Sequence, residues 1–168
     1  MIVTSDSNIA KQSRLLRNYG QRENYASDIL GQNSRLDEIH AAILQVKLRK
    51  LEQWNSLRRA VAARYRAAFR ELPVGLQAET GSSNYHLFVI TTPHRDKLRA
   101  HLEGLNIPTL VHYPIPLHRQ KAFAEFSPAR CPNADQLCSR VLSLPMHAYL
   151  DEATQDRIVG AVRDGLRS

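Results

Sequence analysis

The sequence predicts an α/β chain, a small α/β sandwich behind a long connecting helix. Residues 34–71 hold no proline or glycine, and their apolar positions recur in helical steps at 36, 39, 43, 46, 54, 57, 61, 65, 68 and on to 72. Behind that stretch, short β-rich runs alternate with amphipathic ones in the order β-α-β-α-β-α. Pro73, Gly104, Pro114, Pro116 and Pro145 punctuate the alternation.

Residues 1–4 read as the end of a short buried strand. Asp6, Ser7 and Asn8 start a helix with Ile9, Leu15 and Leu16 facing inward and Gly20 as its stop. Residues 21–33 read as an irregular polar loop. The long helical stretch slips in phase between Val46 and Trp54. Straight, it would be about 57 Å long, against a radius of gyration near ~15 Å for a compact chain of this size. It therefore breaks at the slip or extends beyond the domain. Either way, part of its apolar face needs a partner that this chain does not supply. Strands follow at 85–90, 107–113 and 142–144, helices at 95–105 and 134–141. Asp151 caps a last helix carrying Ile158, Val162 and Leu166.

Composition narrows the class. With 43% apolar and 23% charged residues the chain is an ordinary globular one, and no apolar run approaches the roughly 20 residues of a membrane span. No secretory signal opens it. Cys131 and Cys138 are seven positions apart. On one helix that separation is about 10 Å, too long for a disulfide, so a reduced, cytoplasmic protein is expected. The net charge is +7, much of it in Arg49, Lys50, Arg58, Arg59, Arg64, Arg66 and Arg70. A solvated helix face explains those residues most simply; an anionic partner such as a nucleotide, or a nucleic acid, is the alternative.

Two constellations carry chemistry. Asn33, Ser34 and Arg35 stand directly before the helical rhythm, with Glu38 where a capping-box acid would reach back. Capping accounts for one of the first two residues. It does not account for the arginine, whose charge opposes the positive end of a helix dipole unless an anion docks there. Both readings stand. The second constellation is the stretch 111–120, VHYPIPLHRQ, in which two prolines fix a strand exit and crowd His112, Tyr113 and His118 together. The two histidines lack a third metal ligand. A polar pocket for a hydroxylated ligand and an ordinary edge loop both fit. Tyr85 reads as core and His86 as a partly buried strand residue. No glycine-rich phosphate loop, G-x-S-x-G or zinc spacing occurs.

The ordered segments LLRNYG, GQNSRLDEIHAAIL, KLRKLEQWNSLRRAVAARY, YHLFVI, HYPIPLHRQKAF and VLSLPMH resemble the DegT/StrS family of pyridoxal-phosphate sugar aminotransferases over nearly the whole chain. That resemblance implies the C-terminal segment of the type I aminotransferase fold: residues 1–46 as the tail of the large cofactor-binding domain, 47–72 as the linking helix, and 73–168 as the small domain. It implies a homodimer with shared active sites. The reaction it implies moves an amino group from glutamate or glutamine to a keto sugar on a nucleoside diphosphate, with neither nucleic acid nor membrane as partner. Asn33 is then the residue that reaches the neighbouring subunit's cofactor phosphate, with Arg35 beside it. His112, Tyr113 and His118 become sugar-nucleotide contacts.

Gln32 and His40 are less usual at their positions. The family's cofactor-bearing lysine precedes a strand like the one at the start of this chain, and Lys11, Lys47, Lys50, Lys97 and Lys121 all lie in other contexts. No catalytic residue is therefore expected in this chain, and alone it is expected to be inactive. A non-catalytic regulator or scaffold on the same fold, or less readily a basic nucleic-acid-binding domain, would share these features.

Overall fold

The long helical stretch breaks where its apolar phase slips. In the computed structural model, which describes residues 2–23, 25–79, 81–126 and 130–167, helix α2 (Glu38–Leu48) ends at Arg49 and helix α3 (Leu51–Phe69) begins two residues later. The chain divides there into two compact units, Met1–Lys50 and Leu51–Ser168.

In the first unit, helix α1 (Ser7–Leu16) is capped by Asp6, whose carboxylate accepts the Asn8 and Ile9 amides at 2.7 and 3.2 Å. None of its side chains is fully buried, so the inward placement of Ile9 and Leu16 does not hold; both are exposed. The helix ends through Tyr19 and Gly20, both left-handed (φ 59° and 71°), and the Gly20 amide donates back to the Leu15 carbonyl at 2.8 Å. Residues 2–4 form no strand, and Met1 lies outside the described residues. Ile2 and Val3 are 70% and 83% exposed and pair with no strand among the described residues. The loop expected at 21–33 contains a short antiparallel ribbon, β1 (Gln21–Glu23) with β2 (Ala26–Ser27). Its strands are too short for alternation to register in sequence.

Helix α2 starts later than its sequence suggests. Asp37 is the cap, its Oδ1 accepting the His40 amide at 2.8 Å while Oδ2 lies 2.6 Å from the His40 ring Nδ1. Asn33 and Ser34 cap nothing. The side chains of Leu36, Ile39, Ile43 and Val46 are exposed in this unit, Ile39 by 75%.

The second unit is the sandwich. Its sheet is antiparallel in the order β3 (Gly75–Leu76), β4 (Phe88–Thr91), β5 (Val141–Leu144). The register sets Phe88 opposite Leu144 and Ile90 opposite Leu142, so four apolar residues share one face. Tyr65 and Phe69 of α3, Leu98 and Leu102 of helix α4 (Arg95–Gly104), and Ile158 and Val162 of helix α6 (Glu152–Arg167) are buried in the same core. Helix α5 (Pro132–Arg140) leads into β5. The Tyr65 hydroxyl donates to the Pro145 carbonyl at 3.1 Å, and burial raises its pKa.

The expected strand at 107–113 is reduced to one bridge, Leu110 with Ser143, and β3 takes the third place in the sheet. Proline at 108 and at 114 removes the donors that a longer ladder needs.

Asp151 caps α6 as expected, accepting the Thr154 amide at 2.7 Å. Accepting backbone N–H groups lowers the pKa of both capping carboxyls, from His40 and its ring for Asp37 and from Thr154 for Asp151. The folded state therefore binds fewer protons here. The stability these caps lend is complete above the ordinary carboxylate pKa and is lost as pH falls through the lowered folded values. Acidification below about pH 4 is thus expected to speed exchange of the His40 and Thr154 amides before the core amides of β4. Simultaneous loss of all three would show that the caps do not open independently.

Candidate functional site

The segment carrying Asn33 and Arg35 is an extended arm laid against the end of α1. The Tyr19 amide donates to the Gln32 carbonyl at 3.2 Å, Gln32 to Leu16 at 2.9 Å, and Ser34 to Arg17 at 2.9 Å. Gly31 permits this approach: a Cβ there would lie 2.2 Å from the Gly20 nitrogen and 2.8 Å from the Leu16 carbonyl oxygen. The glycine of GQNSR is thus a packing requirement between two backbones, and only its contact with the end of α1 and the turn after it reveals it.

The arm aims its polar groups outward. Arg35 Nε donates to Asn33 Oδ1 at 3.3 Å, and the guanidinium lies 5.6 Å from the centre of the Tyr19 ring. With the amide oxygen so engaged, Asn33 presents its NH₂ group, and Arg35 retains its terminal nitrogens as donors. Both side chains are exposed. This corner offers hydrogen-bond donors and one positive charge, which suits a phosphate ester.

The second unit holds the other three predicted site residues. The Leu110–Ser143 bridge, with amide-to-carbonyl distances of 3.2 and 2.8 Å, fixes the chain beside β5. It places His112 Nδ1 2.9 Å from the hydroxyl of buried Ser143. Tyr113 follows through a cis peptide, is 71% exposed, and meets the His112 ring edge-on at 5.5 Å. His118 sits in a short 3-10 turn, Leu117–Arg119. Its Nε2 is 3.3 Å from Asp135 Oδ1, and Arg119 grips both oxygens of the same carboxylate at 2.7 and 2.8 Å.

His112 and Tyr113 thus adjoin, and His118 is anchored separately by Asp135. Sequence reading missed both Ser143 and Asp135, because each meets its histidine only through tertiary folding. Cys131 and Cys138 are free thiols, and no group of three or more metal-ligating side chains occurs among the described residues. Nor is any described helix long and apolar enough to cross a membrane.

The sandwich, the polar arm and the histidine-bearing loop define a segment of an aminotransferase fold. The chain belongs to the DegT/DnrJ/EryC1/StrS aminotransferase family, which it matches over residues 1–163. It is 40% identical over 168 residues to a dTDP-3-amino-3,4,6-trideoxy-alpha-D-glucose transaminase of Streptomyces venezuelae, with 97% of this chain and 44% of that protein covered. A UDP-N-acetyl-3-dehydro-alpha-D-glucosamine 3-aminotransferase of Acidithiobacillus ferrooxidans is 39% identical over 165 residues, covering 97% and 45%. The solved structure of S. venezuelae DesV in complex with a ketimine intermediate superposes with a TM-score of 0.89 at 40% identity, over 99% of this chain and 46% of that one. The chain spans about half the length of the relatives it matches, and corresponds to their C-terminal part.

Proposed function

We propose that this chain is the C-terminal portion of a nucleotide-sugar aminotransferase that works as a homodimer with pyridoxal phosphate. The whole protein would move an amino group from glutamate or glutamine to a keto sugar on a nucleoside diphosphate. The observation that carries this reading is the family match along residues 1–163. Residues 1–46 then close the large domain, 47–72 link, and 73–168 form the small domain.

Pyridoxal phosphate, when bound, supplies the electron sink through which an amino group changes carbon atoms. Asn33 donates its outward amide to the phosphate across the dimer, and Arg35 holds that amide in register while adding positive charge. His112 and Tyr113 face the sugar nucleotide, His112 fixed by Ser143. His118, with Nε2 turned to Asp135, offers Nδ1. None of the five lysines carries the cofactor, so the 168-residue chain by itself transfers no amino group.

The test compares half-reactions in the assembled enzyme. Asn33→Ala removes a hydrogen bond to a charged group, worth about 1.5–3 kcal/mol, so cofactor affinity should fall about ten- to hundredfold. Tyr113→Phe and His118→Ala should slow the sugar half-reaction several-fold, at about 0.5–1.5 kcal/mol per lost bond, and leave the glutamate half-reaction intact. Equal damage to both half-reactions would make the 112–118 loop structural. Unchanged cofactor affinity in Asn33→Ala would remove the arm from the site.

A further inference from the structure

Ser143 is a polar side chain in an apolar strand. Its neighbours Leu142 and Leu144 lie in the core opposite Ile90 and Phe88, so alternation turns Ser143 toward the other face of the sheet. It is nevertheless only 4% exposed. Its backbone is satisfied, because Ser143 and Leu110 exchange both amide-to-carbonyl bonds. That leaves the hydroxyl, whose one partner among the described residues is His112 Nδ1 at 2.9 Å.

The direction of this hydrogen bond decides what His112 recognises. If Nδ1 carried the ring proton and donated to Ser143 Oγ, the serine hydrogen would be left in the interior with no acceptor. A buried donor without a partner carries the full cost of its lost hydration. If the hydroxyl donates to a bare Nδ1 instead, every hydrogen is used, and only lone pairs on Oγ go unfilled. The neutral imidazole then carries its proton on Nε2. That nitrogen has no partner among the described residues and is not sealed from solvent, so it is open to a ligand.

We propose that Ser143 is a positioning residue that holds His112 as an uncharged Nε2–H donor, so that the site takes an oxygen acceptor of the substrate at this point. That the acceptor belongs to a sugar nucleotide rests on the aminotransferase reading above; the proton placement does not. Through Ser143, the sheet dictates which ligand atoms the loop at 112 accepts.

Nitrogen-15 spectra of the 168-residue chain at about pH 9, above the usual histidine range, should show His112 protonated at Nε2. Ser143→Ala removes the hydroxyl and no backbone contact, and should let the ring populate both tautomers. Ser143→Thr keeps a hydroxyl and should restore the Nε2–H form. In the assembled enzyme Ser143→Ala should raise KM for the sugar nucleotide several-fold and change the rate at saturation less, with Ser143→Thr recovering part of the loss. In a His112→Phe background Ser143→Ala should add nothing, since the serine acts only through the ring. A wild-type ring protonated at Nδ1 would overturn the proposal, and so would a Ser143→Ala effect of equal size in His112→Phe. The wild-type spectrum decides even if Ser143→Ala fails to fold. An assembled enzyme that turns over no sugar nucleotide would overturn the aminotransferase reading, and the spectrum would still decide the proton placement.

Discussion

Phe69→Ala is expected to lower the unfolding free energy of the second unit by about 3–5 kcal/mol, the range for truncating a fully buried phenylalanine. Phe69 has no exposed surface and stacks on Tyr65 with ring centroids 5.5 Å apart. Its ring also lies 6.2 Å from Phe88, which itself sits 5.0 Å from Tyr65. This triad joins α3 to β4, and β4 is the central strand of the sheet. The cavity left by truncation would have walls on α3 and on the sheet. Strand β4 cannot move inward by itself without breaking the pairing of Phe88 with Leu144 and of Ile90 with Leu142. Against a typical total of about 5–15 kcal/mol, such a loss is a large share of the stability. Urea denaturation should show a lower midpoint with an unchanged slope. A change below about 1 kcal/mol would mean that the core collapses around the gap and that the aromatic triad is not what fixes α3.

Much of this unit is legible in sequence for a physical reason. Helices α3, α4 and α6 and strand β4 present apolar residues at their own period because one face of each meets a single core. The Asp151 cap is local and therefore readable. The elements that escaped are those whose hydrogen bonds go elsewhere. The Leu110 bridge has no ladder to extend, and β1, β2 and β3 are too short for a period. Among the site residues, Asn33 and Arg35 stand out by chemical type, but their setting does not. A polar run before a helical rhythm reads as a cap, whereas the backbone at 32–34 is satisfied by the turn after α1, and the cap falls to Asp37. Likewise His112 and His118 are visible as residues, while Ser143 and Asp135, which orient them, belong to β5 and α5.

The dependence of Asn33 on that backbone contact leads to the second large effect. Gly31→Ala should damage the arm more than Asn33→Ala does, because it displaces Asn33 and Arg35 together. The added Cβ would meet the Gly20 nitrogen at 2.2 Å, the Tyr19 carbonyl carbon at 2.6 Å and the Leu16 carbonyl oxygen at 2.8 Å. All three are backbone atoms, so no side-chain rotation relieves the overlap. The chain at Gly20 is itself closely packed on its other side, where an added Cβ would lie 1.8 Å from the Ile29 carbonyl oxygen. The arm must lift, at about 1–3 kcal/mol of overpacking, and the Tyr19, Gln32 and Ser34 amides lose their acceptors. Faster exchange of those three amides in the chain is the direct readout, and a loss of cofactor affinity of at least about tenfold in the assembled enzyme is the functional one. Gly160→Ala supplies the control. It lies within α6 with nothing within 4 Å of its added Cβ, and should stabilise by about 0.5–1 kcal/mol through helix propensity alone. If Gly31→Ala leaves the three amides protected, the two backbones tolerate a methyl group between them, and the arm is held by contacts other than the close approach at Gly31.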